Sequence, residues 1–252
     1  MALRFTRMET SVDPSLETME FTYSWYERFV RELESAGYDD RTFGDDLGER
    51  DVLFRHDVDL SLESAIRMAR LEADMGVRAT YFVLLSSPLY NPLTGTARTR
   101  VREIESLGHD VALHFSTHEY WDGSRVPTTD ALEARVREER EVLDTVADRT
   151  AEAVSFHIPP EWVLDRAFDG LRSAYAPEYF SDAGYVADSG QRWREDPPRI
   201  ADLPETVQVL THPGLWGDED GTFERRVDQH IVSSCSTTSR RVRAEFVDGV
   251  NG

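Results

Sequence analysis

The chain has 252 residues, enough to bury a sizeable hydrophobic core, and a formal net charge of -20 from 48 acidic and 28 basic residues. A surface this acidic argues against binding to nucleic acid or to an anionic membrane face. All 28 basic residues are arginine, and this composition is typical of a salt-adapted (halophilic) protein.

The single cysteine, Cys235, excludes an intrachain disulfide. No run approaches the ~18 apolar residues of a membrane helix, and the first 20 residues lack a signal-peptide-like apolar stretch. We therefore expect a cytoplasmic protein without membrane insertion.

The first part of the chain predicts one helix and one loop. Residues 1–14 are polar and are predicted to be a lead-in to a single domain, 15–252. Apolar residues recur at helical spacing through Phe21, Trp25 and Phe29, which predicts a one-faced helix within 15–36. Residues 39–50 are predicted to form a polar loop.

Strands and helices are then predicted to alternate. The predicted strands are 51–57, 77–85, 110–115, 153–156, 180–187 and 206–210. The predicted helices are 61–75, 97–107 and 128–148, with a last helix from Thr222 onward. Such alternation is typical of βαβ units around a parallel sheet. About six units without a break in composition predict an α/β fold in which the sheet is a closed or nearly closed barrel.

Two carboxylates end the first buried strand of this pattern. Asp57 and Asp59 alternate along an extended backbone, so their side chains point the same way. Two adjacent buried carboxylates are costly unless a cation offsets them. His114 and His118, further along the chain, could complete a site of two histidines and one aspartate with an open position, which is typical of catalytic zinc. The second aspartate would remain free to act as a base.

Further polar residues follow other predicted strands. These residues are His157, Asp188 and His212, and each comes just after a predicted strand. In α/β barrels the site is built at the carboxyl ends of the strands. Their common placement therefore indicates one functional site.

The order and spacing of these motifs, from about Asp51 to Trp216, resemble the polysaccharide deacetylases, carbohydrate esterases with a NodB-type domain. More narrowly, the segments Phe54–Asp59 (FRHDVD), Arg78–Phe82 (RATYF) and Asp188–Gly190 (DSG) are similar to a branch associated with bacterial surface-polysaccharide loci. The resemblance implies a distorted (β/α)7-type barrel.

The same resemblance assigns roles to the first two motifs. It makes Asp57 the general base and Asp59 a metal ligand, with His114 and His118 as the other two ligands. The family's second motif reads His-[Ser/Thr]-x-x-His, and this chain keeps the histidine spacing with Phe115 in place of Ser/Thr.

The third motif departs from the family. Ile158 stands where the family has the arginine that orients the base, and isoleucine can neither carry charge nor form a side-chain hydrogen bond. His157 and Arg55 are candidates to substitute for it, as residues at the substrate-binding side of the site.

The remaining motifs supply the acid and a pocket wall. By resemblance His212 is the general acid and Asp188 tunes it. Trp193 is a candidate pocket wall, and Trp193, Trp216 and Trp162 are candidates to stack on sugar rings, although each is more often ordinary packing.

Together these observations predict a metal-dependent hydrolase that removes an N-acetyl group from a sugar or polysaccharide precursor, with a small carbohydrate as its binding partner. Zinc is favoured, and cobalt, nickel or manganese would also fit such ligands. Two alternatives remain open: hydrolysis of another non-peptide C–N bond, such as a cyclic amide, and a catalytically degraded barrel that binds sugar. The oligomeric state is left open.

Overall fold

The computed structural model of the chain describes residues 19–122 and 125–249, so the predicted lead-in at 1–14 lies outside the described residues. The strands in these ranges are β1 (Asp39–Arg41), β2 (Asp51–Val58), β3 (Thr80–Leu84), β4 (Asp110–Phe115), β5 (Thr150–Phe156), β6 (Arg172–Ser173), β7 (Gly184–Ala187) and β8 (Thr206–Thr211). The α-helices are α1 (Tyr23–Ser35), α2 (Leu62–Met75), α3 (Gly95–Ser106), α4 (Thr129–Leu143), α5 (Pro177–Phe180) and α6 (Phe223–Arg243).

All strands belong to one parallel sheet whose main path runs β6-β5-β4-β3-β2-β8-β7. β1 pairs with the first three residues of β2, while β3 pairs with its last four. Helices α2, α3 and α4 connect consecutive strands of this path. The predicted distorted (β/α)7-type barrel is confirmed. Among the described residues β6 and β7 end the path without pairing to each other, so the barrel is left open there.

Local sequence signals account for the helix limits. Thr22 caps α1 through its hydroxyl, which accepts from the Trp25 backbone, so this helix, predicted within 15–36, begins at Tyr23. Ser61 caps α2 in the same way, and Gly76 ends it with a left-handed φ of 80°.

Two predicted segments differ from the observed ones. The predicted polar loop 39–50 contains β1, whose side chains are mostly accessible at the edge of the sheet and therefore lack a hydrophobic pattern. The predicted strand 180–187 begins only at Gly184, because Phe180 is the last residue of α5 and residues 181–183 form the turn that follows it. The predicted last helix is confirmed as α6.

β2 is buried along its whole length, and its alternation positions the site. Val52 and Phe54 pack in the main hydrophobic cluster with the helices, whereas Leu53 packs in a second cluster inside the barrel. Because side chains alternate along a strand, Arg55 and Asp57 follow Leu53 into the barrel interior. None of the described helices is both long enough and apolar enough to cross a membrane.

Candidate metal centre and acid–base pair

The polar residues that the sequence places after strands lie together at the carboxyl end of the sheet. They lie on β2, β4, β5, β7 and β8, which are separated along the sheet only by β3. Each is the last residue but one of its strand or the first residue beyond it: Asp57, Asp59, His114, His157, Asp188 and His212.

Three of these side chains form a group that could hold a metal ion. One ligand atom each from Asp59, His114 and His157 lies within 4.8 Å of the others. Asp59 Oδ1 is 3.1 Å from His114 Nε2 and 3.2 Å from His157 Nδ1. This oxygen is nevertheless buried without a well-oriented hydrogen-bond partner. A buried carboxylate oxygen facing two imidazole nitrogens fits a divalent cation among them, with the mixed nitrogen and oxygen ligands that zinc accepts.

The tautomer of His114 supports the same fit. His114 Nδ1 is 2.5 Å from Ser155 Oγ, and Ser155 Oγ donates to Asp57 Oδ1 over 3.2 Å. The hydroxyl has one proton, which it donates to Asp57, so it accepts from His114 Nδ1–H. In neutral His114 the lone pair of Nε2 then points at the Asp59 carboxylate, an arrangement that a cation between them would stabilise.

The electrostatics of Asp59 and His157 reflect their contact. Burial acts to raise the pKa of Asp59, but His114, His157 and His212 together lower it far below its ordinary value. Burial acts to lower the pKa of His157, and Asp59, followed by Asp57, raises it above its ordinary value. The carboxylate of Asp59 is therefore ionised at any pH at which the protein would work.

His118, a predicted metal ligand, is not part of this group. The chain leaves β4 in a 3-10 turn, Thr117–Glu119, which carries the exposed His118 ring away from Asp59. His118 Nε2 lies 3.0 Å from the backbone oxygen of Ile158. In the structure His157, predicted to bind substrate, lies beside Asp59 and His114 where the sequence predicted His118, because β5 lies beside β4.

The register of these two strands explains the exchange. His114 on β4 is paired with Ser155 on β5. His157, two residues further, points to the same side of its strand as Ser155 and rises past the strand end beside His114. Sequence periodicity alone places both His118 and His157 near strand ends and cannot choose between them.

Asp57 is held by a fully buried arginine. Arg55 donates from Nε to Asp57 Oδ1 over 3.0 Å and from Nη2 to Asp57 Oδ2 over 2.8 Å. Burial acts to raise the pKa of Asp57, but Arg55, with His114 and His212, lowers it below its ordinary value. The carboxylate is therefore ionised at neutral pH and fixed in orientation.

The predicted substrate-binding role of Arg55 is corrected by its burial. Its exposed fraction is 0%, and its remaining donors reach Gln208 Oε1 over 3.0 Å and the Tyr175 hydroxyl over 2.8 Å. Arg55 thus orients Asp57, a task that the resemblance assigns to an arginine at position 158. Ile158 itself is 67% exposed and has a φ of 46°, which is rare for a β-branched residue.

Three supporting residues were not singled out from the sequence, and two of them have weak sequence signals. Ser155 precedes His157 by two on the same strand, and its face could be predicted from that spacing. Gln208 is a polar residue within a buried strand, which usually indicates a specific partner. We find no sequence signal for Tyr175, which reaches Arg55 from a different part of the chain.

His212 and Asp188 form a second pair beside the group. His212 Nδ1 donates to Asp188 Oδ1 over 2.5 Å, and the His212 backbone N–H donates to the same carboxylate. Trp216 Nε1 donates to Asp188 Oδ2 over 2.8 Å. Burial acts to lower the pKa of His212, but the charge and hydrogen bond of Asp188, together with the charges of Asp59 and Asp57, raise it to about 9. His212 Nε2 lies 3.8 Å from Asp59 Oδ2, so its second proton faces the candidate metal centre.

The tryptophans predicted to bind sugar are core residues. Trp193 and Trp216 are each 2% exposed, and their rings pack against each other and against Trp25 on α1. Neither ring offers a face to a ligand, so the predicted substrate-binding roles of Trp193 and Trp216 are corrected. Trp216 contributes only indirectly, through its hydrogen bond to Asp188.

Comparison with known proteins gives matches only among solved structures. No protein-family model and no curated protein matches the sequence. A wild-type pseudoenzyme of carbohydrate esterase family 4 from Bacillus anthracis aligns at 13% identity and a TM-score of 0.41, over 74% of this chain and 60% of that one. This chain therefore spans less than two thirds of that structure's length.

Two further structures align over more of their own length. They are a Streptococcus pyogenes deacetylase in complex with acetate (11% identity, TM-score 0.44, 85% of this chain and 90% of that one) and a family 4 acetyl xylan esterase from Clostridium thermocellum in complex with a cobalt ion (12%, 0.41, 74% and 84%). Carbohydrate esterase family 4 is thus the family named among the solved structures that this chain resembles.

Proposed function

We propose that this chain is a metal-dependent hydrolase that removes an N-acetyl group from a sugar or polysaccharide precursor. The observation that carries the proposal is the convergence of Asp59, His114 and His157 between an ionised carboxylate and a cationic imidazole. Asp57 Oδ2 lies 3.8 Å from His114 Nε2 on one side, and His212 Nε2 lies 3.8 Å from Asp59 Oδ2 on the other. Hydrolysis of an amide needs a base for water, an acid for the leaving nitrogen and a charge that stabilises the oxyanion.

A divalent cation held by Asp59, His114 and His157 would supply Lewis-acid polarisation of the acetyl carbonyl and would lower the pKa of a water molecule beside it. Two imidazoles and one carboxylate favour zinc, and cobalt, nickel and manganese also bind such ligands.

Asp57 is the proposed general base. Its lowered pKa keeps it ionised, and the two bonds from Arg55 hold one carboxylate plane in the barrel interior. A carboxylate with a lowered pKa is a weak base. It can therefore accept a proton from a water molecule whose own pKa has been lowered, but not from the proton donors of the substrate. Because Asp57 is a weak base, it must lie directly beside the group that would bind the cation and lower the pKa of the water.

His212 is the proposed general acid. Its raised pKa keeps both ring nitrogens protonated at neutral pH, and Asp188 holds one of them. The other proton, on Nε2, is then available to the departing amine. Without a proton the nitrogen would have to depart as an anion, which is a poor leaving group. Hydrolysis therefore depends on this proton transfer.

The acetylated sugar as substrate rests on the motif resemblance, and the site geometry supports the reaction class. The alternative of a degraded sugar-binding barrel was motivated by Ile158, which lacks the family's arginine. Arg55 supplies a guanidinium to Asp57 from β2 instead, and this favours an active hydrolase.

The test measures metal content and acetate release on the same preparations. We expect about one divalent ion per chain and acetate release from N-acetylhexosamine oligosaccharides, with Asp57→Asn keeping the metal and losing at least about a hundredfold in kcat. Ring opening of a cyclic amide, assayed in parallel, separates the second substrate class. Protein that binds no divalent ion even after reconstitution would refute the proposal.

A further inference from the structure

The last helix of the chain carries an apolar surface that no described residue covers. α6 is followed by a π-helical turn, Ala244–Asp248, and none of its residues is buried. Its first half touches the body of the protein, where His230 Nε2 lies 2.8 Å from the Gly214 backbone oxygen. The second half has no such contact among the described residues. At 1.5 Å per residue the helix is roughly 32 Å long.

The apolar side chains of α6, except Val232, lie on one stripe. At helical spacing the stripe contains Phe223, Val227, Ile231, Ser234, Cys235, Thr238, Val242 and, in the following turn, Phe246. Phe223, Ile231, Val242 and Phe246 are among the exposed large hydrophobic residues of the described part of the chain. A helix with such a stripe usually buries it against another surface.

The order of residues along this stripe is symmetric about its centre, between Ser234 and Cys235. Counting outward in both directions, Ile231 corresponds to Thr238, Val227 to Val242 and Phe223 to Phe246. Small side chains thus lie at the centre, aliphatic ones further out and an aromatic ring at each end. An interface with two-fold symmetry requires a surface that complements itself.

We propose that α6 pairs with the same helix of a second copy of this chain, in antiparallel orientation, about a two-fold axis near Cys235. In this arrangement each residue of the stripe meets its counterpart: phenylalanine packs beside phenylalanine, and valine beside valine. The small residues at the centre allow close approach of the two helices.

The charges of α6 select the antiparallel orientation. Arg240, Arg241 and Arg243 crowd the carboxyl end, whereas the first two turns are balanced, with Glu224 and Asp228 beside Arg225 and Arg226. An antiparallel pair separates the two arginine clusters and places each beside the charge-balanced first turns of the partner helix, next to a body whose chain carries a net charge of -20. A parallel pair would place the two arginine clusters together, which is unfavourable.

The first test compares the mass in solution of three proteins. By light scattering we expect the wild-type chain at twice the 28.8 kDa of one chain. Val242→Glu puts a charge into the stripe of both copies and should raise the dissociation constant of the dimer at least about tenfold. The control is Val232→Glu, because Val232 is equally apolar, 67% exposed and lies off the stripe. It should leave the dimer unchanged.

The second test determines orientation in a Cys235→Ser background. A short bismaleimide should join a Val227→Cys chain to a Val242→Cys chain when the two are mixed, and should join neither to itself. Wild-type protein should be joined through Cys235. Circular dichroism verifies that each variant is folded, as expected for substitutions on an exposed face.

Three results would overturn the inference. These are a wild-type mass of one chain up to several hundred micromolar, a dimer that Val232→Glu weakens as much as Val242→Glu, and self-joining of Val227→Cys chains without mixed products. The last result indicates a parallel pair. None of these outcomes bears on the metal centre, because α6 contributes no residue to it.

Discussion

Replacing Arg55 with methionine tests the link between a buried charge and the proposed base. Methionine keeps much of the apolar stem and removes the guanidinium, so Asp57 loses its ion pair and both hydrogen bonds from Arg55 and keeps the one from Ser155. Gln208 and Tyr175 lose one bond each. Breaking a buried ion pair by removing one partner costs about 3–5 kcal/mol in the free energy of unfolding. We expect a loss of this size at neutral pH.

The sign of the pH dependence makes the prediction specific. In the wild type the pKa of Asp57 lies below its ordinary value. Its contribution to stability is therefore present above about pH 4 and is lost as the pH falls through the folded pKa. In Arg55→Met burial becomes the dominant influence on the Asp57 carboxyl. The pKa of Asp57 therefore rises above the value that this residue has in the unfolded chain. The contribution of Asp57 then reverses: the variant loses stability relative to the wild type as the pH rises from about 4 to 7.

Urea unfolding at several pH values, with a chelator to remove metal effects, measures this difference. The matched control is Arg55→Met combined with Asp57→Asn, which removes the orphaned charge and should recover most of the stability without recovering activity. A decrease in the free energy of unfolding of less than about 1 kcal/mol, or one that is the same at pH 4 and pH 7, would refute the reasoning. Removing one partner of a buried ion pair should cost more than that, because it leaves the other charge buried and unpaired.

Three further predictions concern the metal, the acid and the core. His157→Ala should abolish stoichiometric metal binding, whereas His118→Ala should retain it, as measured by metal analysis after dialysis; loss of metal only in the His118 variant would contradict the ligand set. Activity should decline above about pH 9 as His212 loses its proton, and Asp188→Asn should move this decline downward by about 1–3 pH units; an unshifted profile would exclude His212 as the acid. Trp193→Ala should lower the free energy of unfolding by about 3–5 kcal/mol, and a KM that rises with unchanged thermal stability would instead support a sugar-binding role.

Much of the candidate site could be predicted because it depends on local regularities. Alternation along a strand places Asp57 and Asp59 on one face, and strand ends can be located from hydrophobic runs and glycines. In a parallel sheet all carboxyl ends lie at one edge, so residues after different strands meet even when their neighbours are unknown. His114 and His212 are found by the same reasoning.

The choice among these residues depends on pairing between distant segments. His118 and His157 both follow strands, and only the register of β4 against β5 shows that His157 lies beside His114. From the sequence alone, Arg55 could equally face substrate. In the structure Tyr175 and Gln208 accept hydrogen bonds from its guanidinium and enclose it.

What the sequence by itself determined is the periodic part: an α/β barrel, the faces of its strands and the chemical types at their ends. Only the tertiary structure decided which histidine lies beside Asp59 and His114, the partner of Asp57 and the burial of Trp193, which packs against Trp25 far away in the chain. The physical reason is that periodicity reflects short-range backbone geometry, whereas contacts between distant residues depend on strand order, register and the space that other side chains leave.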